Sequence, residues 1–374
     1  MDRTPPMHNK KRIDENDLKI VSALERLGGK ASAEELSTEV GIPSRTVRYR
    51  IARMVRNGHL QPMMVMTHER LLGLGDSFLI LEQANSGHRF PTEIFEMIPW
   101  MYFYTPTYGK YNGFLAHAAY SLQAPSTNPD LLEAMKRGGV ISDYYIFSIA
   151  DYETKPGDFN RFDPDHGWVC DWDEWSARLE KTIKTKKRPA IRLEENPVPI
   201  AFDAKDVLIL RSLLKDAKTT LRELGQMLGL SEPQVNKRIR RMEKSGIIKR
   251  YRPTFSAQTE SVTLYCFFEP REPVESIISC FYQLPHPLYM IMESRHKFCI
   301  NISLSAEDIN GFLRGLDMLR GHFDSCFIQT MHQRHPLPFE RYFDLFNEKT
   351  GKWETPVGEY LPKIQHYFTA GAKA

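Results

Sequence analysis

Two stretches of the chain, 188 residues apart, place their apolar side chains alike. In the first, Leu18, Val21, Leu24 and Leu27 recur at helical spacing, with Ile20 and Ala23 beside them on much the same face. Asp14 stands where an N-cap belongs, Asp17 follows three residues on, and Gly28-Gly29 ends the run. Residues 33–40 make a second, shorter helix, and Gly41 suits the left-handed turn that closes it. A third helix runs from Ser44, its expected N-cap, to about Arg56, with Val47, Ile51, Met54 and Val55 inward. The second stretch repeats this plan. Val207, Leu210 and Leu213 follow Asp203, residues 221–228 form the short helix, Gly229 turns the chain, and Val235, Ile239 and Met242 line a helix over 231–245.

Set over one another, residues 34–60 and 222–248 align without a gap. Identical positions include Gly41/Gly229, Val47/Val235, Arg50/Arg238, Arg53/Arg241 and Met54/Met242. An internal repeat of this kind sets the architecture before any single motif does. Each copy is a helix-turn-helix running into a short β passage, 59–66 and 247–253, and a hairpin there would make each a winged helix.

Behind each head the pattern reads β-α-β-β-α-β, which predicts an antiparallel sheet with both helices on one face, the ferredoxin-like arrangement. The open face of such a sheet needs cover, and a partner body is already on the chain. Each body leads into an aromatic extension: Phe159-Asn160-Arg161-Phe162 matches Phe339-Glu340-Arg341-Tyr342. Trp172, Trp175 and Leu179 are expected to clamp a following helix onto the body. The fold class is therefore α+β, a tandem duplication. The expected parts are a basic tail (1–12), a first head (13–66), a first body (74–156), an extension and basic linker (157–198), a second head (199–254), a second body (260–337) and a C-terminal extension (338–374).

Composition changes little in this picture. Charged residues make up 26% and the net charge is only +3, so the local distribution has to carry any nucleic-acid argument. It does so on the third helices. Arg45, Arg48, Arg50, Arg53 and Arg56 follow one another with no acid between them, and phosphate relieves the self-repulsion of such a face. The expected DNA contacts are Ser44, Arg45, Thr46, Arg48, Tyr49 and Arg53 in the first head. In the second they are Gln234, Asn236, Lys237, Arg238 and Arg241, with Lys249 and Arg250 on the wing. The basic run His8-Asn9-Lys10-Lys11-Arg12 reads as a tail with a minor-groove role as the alternative.

The five cysteines form no C-x-x-C pair, no signal peptide or long apolar run is visible, and a cytoplasmic location is expected. No metal site, cofactor site or nucleophile–base pair emerges. His332-x-x-His335 lacks a neighbouring cysteine or carboxylate, and the acidic stretch from Asp163 to Glu174 reads as a solvated loop.

Asp14-x-x-Asp17, Gly41, Val47-Arg48-Tyr49-Arg50-Ile51 and Asn57-Gly58, with Asp203-x-x-Asp206, Gly229 and Ser245-Gly246-Ile247-Ile248, resemble the Lrp/AsnC (feast/famine) family of transcription regulators. The resemblance covers both heads and, more loosely, both bodies. It implies a DNA-binding regulator whose bodies pair back to back, so that one chain stands for one family dimer, with further homodimerisation open. It also implies a small-molecule effector such as an amino acid at the turn Gly109-Lys110-Tyr111-Asn112. There Asn replaces the typical Asp, and the second copy, Arg295-His296-Lys297, has lost the glycine. Two alternatives stand beside the regulator. Siroheme decarboxylases resemble the same family and occur as two-unit fusions. An architectural protein would bridge DNA without choosing sequence.

Overall fold

The computed structural model describes residues 13–61, 63–84, 90–185, 193–256, 261–332 and 335–371. The basic tail and much of the basic linker lie outside them. Head 1 consists of α1 (Glu15–Leu27), α2 (Ala33–Val40) and α3 (Ser44–Arg56), followed by strand β1 (Met64–Thr67). Asp14 caps α1 in a capping box with Asp17, and Gly41 sits at φ 69° to end α2. The N-cap of α3 is Pro43, not Ser44. Ser44 is already helical and makes no capping bond, because the fixed φ of proline sets the helix entry in its place.

Body 1 contains β2 (Leu74–Gln83), α4 (Glu93–Met97), β3 (Met101–Gly109), β4 (Gly113–Ser121), α5 (Thr127–Arg137) and β5 (Ile141–Ile149), which runs on after one residue into β6 (Asp151–Lys155). The short strands β7 (Phe162–Asp163) and β8 (Gly167–Trp168) and helix α6 (Trp172–Lys184) form the first extension. Head 2 repeats head 1 with α7 (Ala204–Lys215), α8 (Leu221–Leu228), α9 (Glu232–Lys244) and β9 (Ile248–Arg252). Body 2 has β10 (Val262–Pro270), α10 (Val274–Tyr282), β11 (Leu288–Ser294), β12 (Lys297–Leu304), α11 (Ala306–Leu319) and β13 (Phe323–Met331), with β14 (His335–Pro336) after it. A last extension carries β15 (Phe346–Asn347), β16 (Lys352–Trp353) and α12 (Val357–Gly371).

Both bodies show the ferredoxin-like strand order, β5-β2-β4-β3 and β13-β10-β12-β11. They join into one sheet because Gln329, Thr330 and Met331 of β13 pair with Gly109, Tyr108 and Thr107 of β3, and β6 pairs with β11. Since β6 continues β5, the sheet closes on itself. Its inner faces meet in a core of Phe78, Ile80, Leu115 and Phe147 from body 1 and Tyr265, Phe267, Ile291 and Cys299 from body 2. That contact covers the face each body would otherwise leave open. At the seam Lys155 donates to the carbonyls of Pro156, Leu284 and His286 at 3.1, 2.6 and 3.0 Å. Burial lowers its pKa to about 8.

The extensions cross over. The aromatic helix α6 docks on body 2, not on the body that precedes it. Trp175 donates Nε1–H to the Cys280 carbonyl at 2.9 Å, and Trp172 donates to Asp308 at 2.7 Å. Gly311 and Gly315, one turn apart on α11, make room for the two indoles: a Cβ at Gly315 would lie 2.0 Å from the Trp175 ring. In return α12 packs on α5 of body 1, with Tyr360 edge-on to Trp100.

Candidate nucleic-acid interface

The third helix of each head is held by an ion-pair lattice that the two copies share. In head 1, Arg50 Nη1 reaches both carboxylate oxygens of Asp14 at 2.7 Å and Asp17 at 2.9 Å, and Arg53 pairs with Asp17. In head 2, Arg238 reaches Asp203 at 2.8 Å and Asp206 at 2.9 Å, and Arg241 pairs with Asp206. Asp17 and Asp206 are fully buried. Burial alone would raise the pKa of Asp14 and Asp203, but the guanidinium and the capping amide outweigh it and hold both below the usual carboxylate range.

This geometry corrects part of the expected DNA site. Arg53 and Arg238 face helix α1 or α7 and neutralise buried acids there. Arg241 stays half exposed but is committed to Asp206. Their charge offsets carboxylates the fold has already taken out of water, so it is not free for phosphate.

The wing is corrected as well. The two β passages do not fold into hairpins of their own. They pair with each other, Val65 opposite Tyr251 and Met66 opposite Arg250, with a further bridge from Leu60 to Phe255. Lys249 is consequently tied to Asp151 at 2.5 Å and to the Tyr152 carbonyl, and Arg250 to Glu153. Both were expected on DNA, and both instead fasten the ribbon to β6. Around the ribbon the heads touch directly. Gly29 N–H donates to the Tyr251 carbonyl at 2.8 Å, Lys30 pairs with Glu243 at 2.7 Å, and Arg252 pairs with buried Glu25 at 2.9 Å. The two third helices are therefore fixed relative to one another.

What remains outward is one stripe per head. On α3 it is Arg45, Arg48, Tyr49, Ala52 and Arg56, all exposed and free of acids, spaced to share a helix face. Arg48 touches Glu34 of α2 in a surface pair. On α9 the same register gives Pro233, Asn236, Lys237, Arg240 and Lys244, of which only Asn236 is partly covered. Of the expected contacts, Arg45, Arg48 and Tyr49 lie together on α3, and Asn236 and Lys237 lie together on α9. Ser44 and Thr46 sit half-buried at the start of α3. Gln234 is exposed, but its carbonyl oxygen accepts from the Ser231 amide at 2.9 Å and so caps α9. Arg56, Arg240 and Lys244 were left out. The signal for them was present: the stripe differs between copies at all five positions, whereas Arg50/Arg238 and Arg53/Arg241 are identical.

The expected effector turn lies between the bodies. Gln329, fully buried on β13, accepts from the Tyr111 amide at 3.0 Å and donates to the Tyr111 carbonyl at 2.8 Å and to Thr107 at 3.1 Å. Gly109 approaches the Ile328 carbonyl so closely that a Cβ would sit 2.1 Å from it. The Asn112 amide donates to Glu82. A ligand bound to this backbone would have to displace the chain's own carboxamide. Among the described residues no group of His, Cys, Asp and Glu is placed to hold a metal, and no helix is long and apolar enough to cross a membrane.

A winged helix-turn-helix DNA-binding family model matches twice, at residues 13–59 and 202–249. The leucine-responsive regulatory protein of Rhizobium meliloti (strain 1021) is 36% identical over 70 residues, 19% of this chain and 45% of that protein. The HTH-type transcriptional regulator LrpC of Bacillus subtilis (strain 168) is 36% identical over 68 residues, 18% of this chain and 47% of that protein. The chain thus spans about half the length of the curated relatives it matches. Over most of its length it is similar in fold to the siroheme decarboxylase NirDL, solved with an iron-uroporphyrin III analogue. The TM-score is 0.50 at 13% identity, covering 88% of this chain and 98% of that one. Fold and heads define an α+β protein with two helix-turn-helix units, both matched by the winged helix-turn-helix model, whose β passages pair with each other. By sequence, a stretch of about 70 residues is similar to Lrp-type regulators, and the winged helix-turn-helix model matches the chain twice.

Proposed function

We propose that the chain is a sequence-specific, cytoplasmic DNA-binding transcription regulator. One polypeptide supplies two recognition helices, α3 and α9, and its bodies act as an intramolecular pseudo-dimer. The observation that carries this reading is the separation of roles on the third helices. Inner arginines balance buried aspartates, while an outward stripe of each helix keeps exposed basic side chains, of which, among the described residues, Arg48 alone on α3 has a surface pair, with Glu34. Such a surface is useful against a polyanion. In this geometry the start of the helix meets base edges and the later turns meet phosphates.

The test is binding to fragments of the protein's own upstream region against random duplex at several salt concentrations. A specific regulator retains some fragments selectively, with affinity falling steeply as salt rises. Equal binding to every duplex would indicate an architectural protein. Replacing Arg45 and Arg48 together by alanine without loss of affinity would refute the assignment of α3.

The fold likeness over most of the chain favours a second reading, an enzyme acting on an iron tetrapyrrole. The Arg295-His296-Lys297 turn is a weak basis for it, since Arg295 is exposed and pairs with Glu195 at 3.5 Å. A spectral titration of the purified protein with iron-uroporphyrin decides the point. A saturable shift together with absent DNA binding would replace the regulator by the enzyme.

A further inference from the structure

The two outward stripes are not chemically equivalent, and the difference is concentrated where a recognition helix meets base edges. In the first two turns of α3 the exposed groups are Arg45, Arg48 and Tyr49. A guanidinium offers donors only, in a planar fork. In the first two turns of α9 the corresponding positions hold Pro233, Asn236 and Lys237, and exposed Glu232 takes the place of Ser44. A carboxamide offers a donor and an acceptor side by side. Lys237 stands beside Asn236, and the other cations of α9 come later, at Arg240 and Lys244, towards the end that leaves the groove.

The neighbouring helix reinforces the contrast. Glu34 of α2 pairs with Arg48, while the matching position on α8 is Arg222, exposed beside the start of α9. Head 1 thus puts its cations at the base-reading end with one acid to orient them. Head 2 puts a carboxamide at that end and surrounds it with cations.

Guanine presents two acceptors to the major groove, which match an arginine fork. Adenine presents an acceptor beside a donor, which match an asparagine. We infer that the two heads read chemically different half-sites: α3 a guanine-bearing step through Arg45 and Arg48, and α9 an adenine-bearing step through Asn236, with Arg222, Arg240 and Lys244 on phosphates. The inference rests on the DNA-binding reading above. It adds that a single chain sits on its site in one direction, because the β1–β9 ribbon and the Lys30–Glu243 and Arg252–Glu25 pairs join the two unlike heads and prevent their exchange.

The experiment uses the full chain. Bound duplexes are selected from a random library, and the selected site is rebuilt with 7-deazaguanine or 7-deazaadenine in one half at a time, which removes the N7 acceptor without altering pairing. The expected result is a loss of about tenfold from the guanine analogue in one half only, and a similar loss from the adenine analogue in the other half only. The double variant Arg45→Ala, Arg48→Ala erases the first sensitivity and keeps the second; Asn236→Ala does the converse. The analogue arm needs no variant, so misfolding cannot obscure it. Two half-sites of the same sequence, or both halves responding to the same analogue, would overturn the inference while leaving the DNA-binding reading intact. Binding without any selected sequence would overturn the inference and the specific-regulator reading together. Failure to bind any duplex at low salt would overturn DNA binding itself.

Discussion

Heads 1 and 2 are the same machine behind the recognition helix and different machines in front of it. Behind, each has a capping aspartate, a fully buried aspartate three residues on, and two arginines that lock the third helix against the first. In front, no position of the exposed stripe is shared. The parts that lock each head together are the same in both copies, and the exposed stripe that we propose reads DNA differs. Two copies on one chain thus act as an internal control, in which identity marks structure and difference marks choice.

The comparison can be broken most sharply at the buried aspartates. Asp17→Ala removes the close partner of Arg53 and leaves Arg50 with Asp14 alone; both side chains are only 17% exposed, and the loss should cost head 1 about 3 kcal/mol. Asp206→Ala should cost less. Arg238 is 24% exposed and Arg241 is 53% exposed, so water can take over more of the lost interaction. Hydrogen exchange at the amides of α1 and α3, against those of α7 and α9, measures both. Equal losses would show that exposure of the arginines does not set the strength of the lattice.

A second, smaller effect separates the two crossed helices. Gly315→Ala drives a methyl into the Trp175 ring and should destabilise the docking of α6 by about 1–3 kcal/mol. The counterpart α12 on α5 should be undisturbed. Limited proteolysis of the two extensions reads this directly: faster cleavage around α12 in the variant would mean that the extensions are coupled through the sheet.

The helices, turns and body strands were legible because each leaves a periodic or capping signature over a few residues, as in Asp14-x-x-Asp17 and Gly41. Partner choice over long separations was not. Residues 247–253 announce a strand, but nothing local distinguishes a hairpin from a ribbon paired across the heads, and the fate of Lys249 and Arg250 turned on that difference. The aromatic spacing of Trp172 and Trp175 announced a clamp. Which body it grips depends on Gly311 and Gly315, more than a hundred residues on, whose Gly-x-x-x-Gly spacing marks a helix face open to close approach. Arg53, Arg238 and Arg241 read as DNA contacts in the sequence because a basic run looks alike whether its partner is a phosphate or a buried carboxylate.

Body 1 differs from body 2 in a partly buried acid, which yields a pH effect with a defined sign. Asp76 on β2 accepts from the Tyr102 hydroxyl at 2.7 Å and from the Ser77 amide at 2.8 Å. Burial first, and Glu69 nearby second, raise its pKa from 3.8 to about 8. The inner face at the start of β10 has Thr263, bonded to Ser303 at 2.9 Å, and carries no such proton. A carboxyl that holds its proton more tightly when folded contributes fully below about pH 4, and that contribution drains away as pH rises to about 8. Asp76→Asn should therefore flatten the fall in melting temperature across that window. Parallel pH profiles for the variant and the parent would remove Asp76 as the cause.

The smallest effect tests the boundary between holding and reading. Glu34 and Arg48 are both about 60% exposed, so their pair contributes under about 1 kcal/mol to stability, and Glu34→Gln should leave the melting temperature of head 1 nearly unchanged. Its effect on DNA should be larger than its effect on folding. An acid beside the reading stripe repels phosphate and competes for Arg48, and its removal makes head 1 resemble head 2, where Arg222 stands at that position. Total affinity should rise, while discrimination at the half-site of α3 should relax, because Arg48 loses the group that orients it. A gain in affinity with discrimination kept would make Glu34 a brake on binding alone and leave Arg45 as the residue that chooses the base.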